Sequence, residues 1–159
     1  MRLACHCFFC ALFTLLLPGC GSSSGPVEPD LDLAPVAGVV TLNDQPLADA
    51  NISFVFDGKP PKGFMASGAK SDSSGKFIVM TGSQPGTVPG RYKVTISRLR
   101  MPDGSPVKEE PGLDAAMLQQ GGALKETVPE RYTDPETTEL SATVTNDGVD
   151  DLELKLTGS

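Results

Sequence analysis

The chain has no tryptophan, two tyrosines and a single histidine, and aromatic residues make up 6% of its 159 positions. All four cysteines and the histidine lie in CHCFFCALFTLLLPGC, residues 5–20. From Gly21 to Ser159 there is neither thiol nor imidazole. That stretch therefore forms no internal disulfide and holds no Ser-His-Asp or Cys-His catalytic set, because no ring nitrogen serves as base. Histidine-based zinc sites are excluded there as well. The lack of tryptophan, with only two tyrosines, leaves little from which to build a sugar-stacking platform. Long amphipathic helical repeats are also missing.

What residues 5–20 do decides much of the rest. As a metal site, Cys5, His6, Cys7 and Cys10 would offer soft ligands with a Cys7-x-x-Cys10 pair. Structural zinc sites usually separate two ligand pairs by a dozen or more residues, whereas these crowd together and run straight into ALFTLLL. As an address, Arg2 and the N-terminal amine supply a positive start. Leu3–Leu17 is uncharged and interrupted only by His6 and Thr14, and Pro18-Gly19 breaks the helix. That is the pattern of a secretory signal peptide over 1–19, too short for the ~20 residues of a resident transmembrane helix.

Leu17-Pro18-Gly19-Cys20 resembles the bacterial lipobox, with Pro18 where Ala, Ser or Thr is commoner. The resemblance implies cleavage before Cys20, a diacylglyceryl group on its sulfur and an acylated amine. Ordinary signal cleavage nearby, with Cys20 left as a free thiol, is the alternative. Gly21, rather than Asp, after the cysteine points to the outer membrane where a cell has two. Two or three acyl chains hold a protein stably to a bilayer without any spanning helix. Cutting 19 of 159 residues leaves 140; loss of Arg2 takes the basic count from 13 to 12 against 20 acids, for a formal charge of −8.

Residues 20–35 carry Gly, Ser and Pro with three acids and no periodicity, the composition of a flexible linker. Such a segment spans on the order of 20 Å as a coil and ~45 Å when polyproline-like. From residue 36 onward the chain alternates with period two, the mark of half-buried strands. Strands are expected at 36–42, 51–56, 66–71, 75–80, 91–97, 139–145 and 151–156. Their inward faces would carry Val36, Gly38, Val40 and Leu42; Ile52, Phe54 and Phe56; Phe77 and Val79; Tyr92, Val94 and Ile96; Leu140, Ala142 and Val144; and Leu152, Leu154 and Leu156. Turn residues separate them at Asn43–Pro46, Asp72–Gly75, Pro85-Gly86, Pro89-Gly90 and Asn146–Gly148. Residues 36–159 thus read as one all-β sandwich domain.

Three motifs then resemble carboxypeptidase regulatory-like domains. Gly38-Val-Val-Thr-Leu-Asn-Asp44-Gln-Pro-Leu47-Ala-Asp-Ala50-Asn-Ile52-Ser-Phe54 matches the pattern of their first hairpin, with Asp44 where Gly is commoner. Asp72-Ser-Ser-Gly75-Lys-Phe77 is similar to their D-x-x-G-x-F turn, and Pro89-Gly90-Arg-Tyr92-Lys-Val94 to their P-G-x-Y-x-V strand. The resemblance implies a seven-stranded antiparallel Greek-key sandwich of the transthyretin (prealbumin) kind. Hydroxyisourate hydrolases share that fold but depend on histidines, and none follows His6 in this chain.

Individual candidates have plainer readings beside the functional ones. Asp72–Gly75 offers one carboxylate, and a calcium loop needs five or more oxygens at set spacing, so a capped turn is expected. Asn146-Asp147-Gly148-Val149-Asp150-Asp151 is richer in acid and reads as a solvated hairpin loop, with weak cation binding as the alternative. Arg91, Lys93, Arg98 and Arg100 form a basic stripe, which in so acidic a chain reads as a wet strand face and not a nucleic-acid site. Residues 98–131 form an unusually long insert between strands, with a short helix expected at Leu113–Gln120, begun by Asp114 in its first turn and ended at Gly121-Gly122. The insert is the expected contact surface, with a spacer as the alternative.

The functional expectation is a lipoprotein anchored through Cys20 in the cell or outer membrane, facing periplasm or exterior. It would act as a non-catalytic binding or structural module for an envelope protein or glycan, with no cofactor, metal or nucleic acid. An envelope hydrolase using carboxylates without histidine is the alternative.

Overall fold

The computed structural model describes residues 31–107 and 115–158, so residues 1–30, with the leader and Cys20, lie outside the described part. Twelve strand segments follow in order: β1 Val36–Leu42, β2 Gln45–Pro46, β3 Asn51–Phe56, β4 Ser67–Lys70, β5 Lys76–Ile78, β6 Met80–Thr81, β7 Gln84–Pro85, β8 Gly90–Ser97, β9 Leu99–Arg100, β10 Lys125–Glu126, β11 Ser141–Val144 and β12 Val149–Leu156. A helix, α1, covers Ala115–Gln120, and a 3-10 turn covers Glu130–Tyr132. All seven expected strands are present, one of them divided into β5 and β6. The expected helix is found over 115–120; Leu113 and Asp114 lie outside the described residues.

The chain is mostly β and forms two principal sheets. In the first, β1 has β12 on one side and both β2 and β5 on the other. The second runs β11-β8-β3-β4-β6-β7. One apolar cluster joins them: Val36, Val40, Phe77, Leu154 and Leu156 from the first sheet, and Ile52, Phe54, Tyr92, Val94 and Ile96 from the second. The alternation in the sequence produces this directly, since side chains at i and i+2 leave a strand on the same face. Tyr92 meets Phe54 and Phe56 edge-on, with ring centroids 5.6 and 5.2 Å apart.

At one corner the chain changes sheets. β5 pairs with β1 and β6 with β4, and fully buried Val79 lies between them. Its N–H donates to the Val36 carbonyl at 2.9 Å, and its own carbonyl accepts from Gly86 at 2.7 Å. Nearby, Tyr92 donates to the Val88 carbonyl at 2.5 Å and lies 3.0 Å from Thr87 Oγ1, which in turn donates to Ser67 Oγ. A tyrosine hydroxyl reaching back to the backbone just upstream is a tyrosine corner.

The expectation of a purely antiparallel sheet fails at one pairing. β1 and β12 run parallel, from Val36 beside Val149 to Leu42 beside Leu156. Parallel neighbours cannot be joined by a hairpin and need a long crossover; here the rest of the domain is that crossover. The register slips between Val36 and Gly38, so Gly38 faces Leu152. A Cβ on Gly38 would collide with the Leu152 carbonyl oxygen, so glycine is required by close approach at this point.

Paired backbone begins earlier than the expected boundary at residue 36. Within the expected 20–35 linker, Ala34 exchanges hydrogen bonds with Thr87 at 2.8 and 3.0 Å and is 2% exposed. The chain therefore enters the domain at the end formed by Ala34, Val88–Gly90 and the Asn146–Gly148 turn. β1, β8 and β12 all run away from that end, and the 98–131 insert leaves β8 at the opposite end.

Candidate functional site

Among the described residues, two places that gather polar side chains around an accessible surface stand out. The larger is an open groove of about 780 Å³ on the outer face of the β5-β1-β12 sheet. Its floor is built by residues that alternate away from the core: Ala37 and Val39 of β1, with Gly38 between them and Ile78 beside them. Ile78 is 62% exposed, the most exposed large hydrophobic side chain of the described residues.

The register sets charged rims on either side. Val39 pairs with Lys76 on β5 and with Glu153 on β12, so Lys76, Val39 and Glu153 form one row across the sheet. Lys70 extends the basic rim. Opposite, the slip between β1 and β12 presents Asp150 and Asp151 as consecutive exposed residues beside Glu153. The groove is thus apolar along β1 and acidic towards β12, while the β5 side carries Lys70 and Lys76 together with Asp72.

Local hydrogen bonds favour the charged forms of Asp72, Glu153 and Lys155. The Lys76 backbone N–H, followed by the hydroxyl and N–H of Ser74, holds the Asp72 carboxyl below its ordinary range. A hydrogen bond from Lys155, 2.7 Å away, lowers Glu153 and raises Lys155 in turn. Asp103, in its own turn, is lowered by Ser105. A carboxyl pair working as acid and base needs one partner shifted upwards; every described carboxyl with a resolved shift is displaced downwards.

The second place is the base of the insert. β9 and β10 pair antiparallel, with Leu99 opposite Glu126 and Arg100 opposite Lys125. The Glu126 carboxylate closes this base, accepting from Ser97 Oγ at 2.5 Å and from the backbone N–H groups of Arg98, Thr127 and Val128, each at 2.9 Å. Arg98 Nε donates to Thr127 Oγ1 at 2.7 Å. Burial, reinforced by the nearby Arg100, lowers the Arg98 guanidinium from its ordinary value. The insert is therefore a clamped excursion with defined feet.

Other candidates are dispersed by the fold. Asp72 Oδ1 is used inside its own turn by Ser74 and Lys76, with Gly75 at φ +75°. Asp147 sits at the tip of the Asn146–Gly148 turn, whereas Asp150 and Asp151 belong to the groove. The basic stripe divides among separate partners: Arg91 lies 3.7 Å from Asp57, Arg100 lies 3.0 Å from Asp49, and Arg98 turns to Thr127. Among the described residues, no three His, Cys, Asp or Glu side chains gather to hold a metal ion, and no helix is long and apolar enough to cross a membrane. Sequence reasoning missed the groove, although an isoleucine at an outward strand position and the Asp150-Asp151 doublet were its visible signs.

No family model, curated protein or solved structure matches the chain.

Proposed function

We propose that this protein is a lipid-anchored lipoprotein of the bacterial cell envelope. On this reading its β domain is a non-catalytic binding or structural accessory module of the transthyretin-like, carboxypeptidase regulatory-like kind. The observation that carries the anchor is Leu17-Pro18-Gly19-Cys20 at the end of an uncharged h-region. The acidic, proline- and serine-rich segment that follows, and the entry of the chain at one end of the domain through Ala34, suit a tether. The Greek-key reading draws support from the order of the seven longer strands, the sheet change at Val79 and the Tyr92 corner. The non-catalytic reading draws support from the absence of histidine after residue 6 and from carboxyls held in their charged form.

Mass spectrometry of the mature N-terminus from membrane fractions tests the anchor. The expected species begins at Cys20 and carries a diacylglyceryl group with an acylated amine. A water-soluble chain with an unmodified thiol at position 20 would overturn it. Crosslinking in intact envelopes, followed by identification of what is captured, tests the accessory role.

A further inference from the structure

We propose that the β5-β1-β12 groove is the contact face for a second copy of this chain, related by a two-fold axis running along β1. The inference rests on the membrane-anchored reading in one respect, the direction of the tether, and otherwise on the charge pattern of the face.

The apolar strip of Ala37 and Val39 separates a predominantly basic rim, Lys70 and Lys76 with Asp72 beside them, from the acidic one of Asp150, Asp151 and Glu153. A two-fold axis along the strip turns the face over while preserving height along the strand. It therefore lays the basic rim of each copy on the acidic rim of the other, which is the self-complementarity of an isologous interface. Because Lys76, Val39 and Glu153 share one row, Lys76 of one copy meets Glu153 of the second copy at the same height, twice over. Ile78, 62% exposed and level with Ala37 on β5, comes over the partner's β12 beside the strip. The opposite choice, an axis perpendicular to β1 in the plane of the face, sets acid on acid and lysine on lysine.

The same axis satisfies the tether. Rotation about a line parallel to β1 leaves both β1 strands running the same way. Both Ala34 ends then face one side, as two chains anchored in one membrane require. An axis across the strands would point one tether away from the bilayer.

Area sets the strength. β1 and β12, seven and eight residues long, with the three residues of β5, present on the order of 300 Å² per copy at a strand spacing of about 4.8 Å, against roughly 800 Å² per partner in stable soluble dimers. The pair is accordingly weak in free solution and is favoured where anchoring holds both copies at high effective concentration.

The test is disulfide crosslinking of the full chain, expressed with its own leader, in isolated membranes under mild oxidation. Val39→Cys places a thiol next to its own copy across the axis; Thr41→Cys, one step along the same face, is the second reporter should Val39→Cys fold poorly. Val55→Cys, on the outward face of the other sheet, is the collision control. The expected result is a dimer band for the β1 thiols several-fold faster than for Val55→Cys. Adding Lys76→Glu slows it about fivefold or more through loss of two exposed ion pairs, and Glu153→Lys on the same chain restores it. Equal rates at positions 39, 41 and 55, or failure of the charge swap to rescue, overturns the proposal. The unsubstituted chain reports on the anchor separately. A dimer band there means a free thiol at Cys20 or in an uncleaved leader, told apart by the mass of the band, and either one sinks the lipoprotein reading, while the difference between positions 39 and 55 above that background still reads the face.

Discussion

Ser71 is 3% exposed, and its hydroxyl does two jobs: it donates to the Leu47 carbonyl at 2.6 Å and accepts the Ala50 N–H at 2.9 Å. It thereby ties the end of β4 to the segment entering β3. Ser71→Ala leaves both backbone groups buried without that partner, a loss of about 1–3 kcal/mol. The urea midpoint should fall with the m-value unchanged. Asp72, next along the chain, is fully exposed yet lowered by the Lys76 N–H and by Ser74. A carboxyl depressed on folding stabilises above its unfolded value, ordinarily 3.8, and loses that contribution as pH falls through the folded one. Stability curves of the native chain and of Asp72→Asn should therefore run a constant distance apart at neutral pH and converge in acid. Parallel curves down to the acid limit would show that the charge of Asp72 plays no part. The role of Asp72 was legible in Asp72-Ser-Ser-Gly75, because a turn is a local event written in adjacent residues. Ser71 was not, since its partners are 21 and 24 positions away.

At the scale of the element, the insert is held by Glu126, and its contacts reach back 28 and 29 residues to Arg98 and Ser97. Glu126→Ala removes the acceptor for three backbone N–H groups and one hydroxyl. Amide exchange at Arg98, Thr127 and Val128 should accelerate by at least tenfold, while the amides of β3 and β8 keep their protection, because local opening of the base leaves the two-sheet core intact. Uniform acceleration across the domain would mean instead that the clamp supports the whole fold. The long strands were readable because alternation in five or more residues survives any context. β2, β7, β9 and β10 are two residues each, too short for a period to register. Alternation also carries no strand direction, which is why the parallel pairing of β1 with β12 could not be foreseen. The groove followed from that pairing: its rims come from strands some 75 residues apart in the chain and met only once the register was known.

For the molecule as a whole, the last strand completes the first sheet. Leu154 and Leu156 are each 1% exposed and belong to the shared core. Leu154→Ala should cost about 2–5 kcal/mol as a cavity-forming truncation, read by chemical denaturation. Beyond β12 the tail is pinned: Asn43 and Gly158 exchange hydrogen bonds at 2.8 and 3.0 Å, and Arg131 donates to the Thr157 carbonyl and stacks 4.7 Å over the Tyr132 ring. Because β1 lies at the N-terminal entry to the domain and runs parallel to β12, a pull on the chain preceding Ala34 would be directed lengthwise along the ladder joining them. Its bonds then resist in shear, many at once, and do not open one by one like a zipper. This ladder thus resists load best along the direction in which the proposed anchor would pull, and would yield far more easily if the load were applied across it.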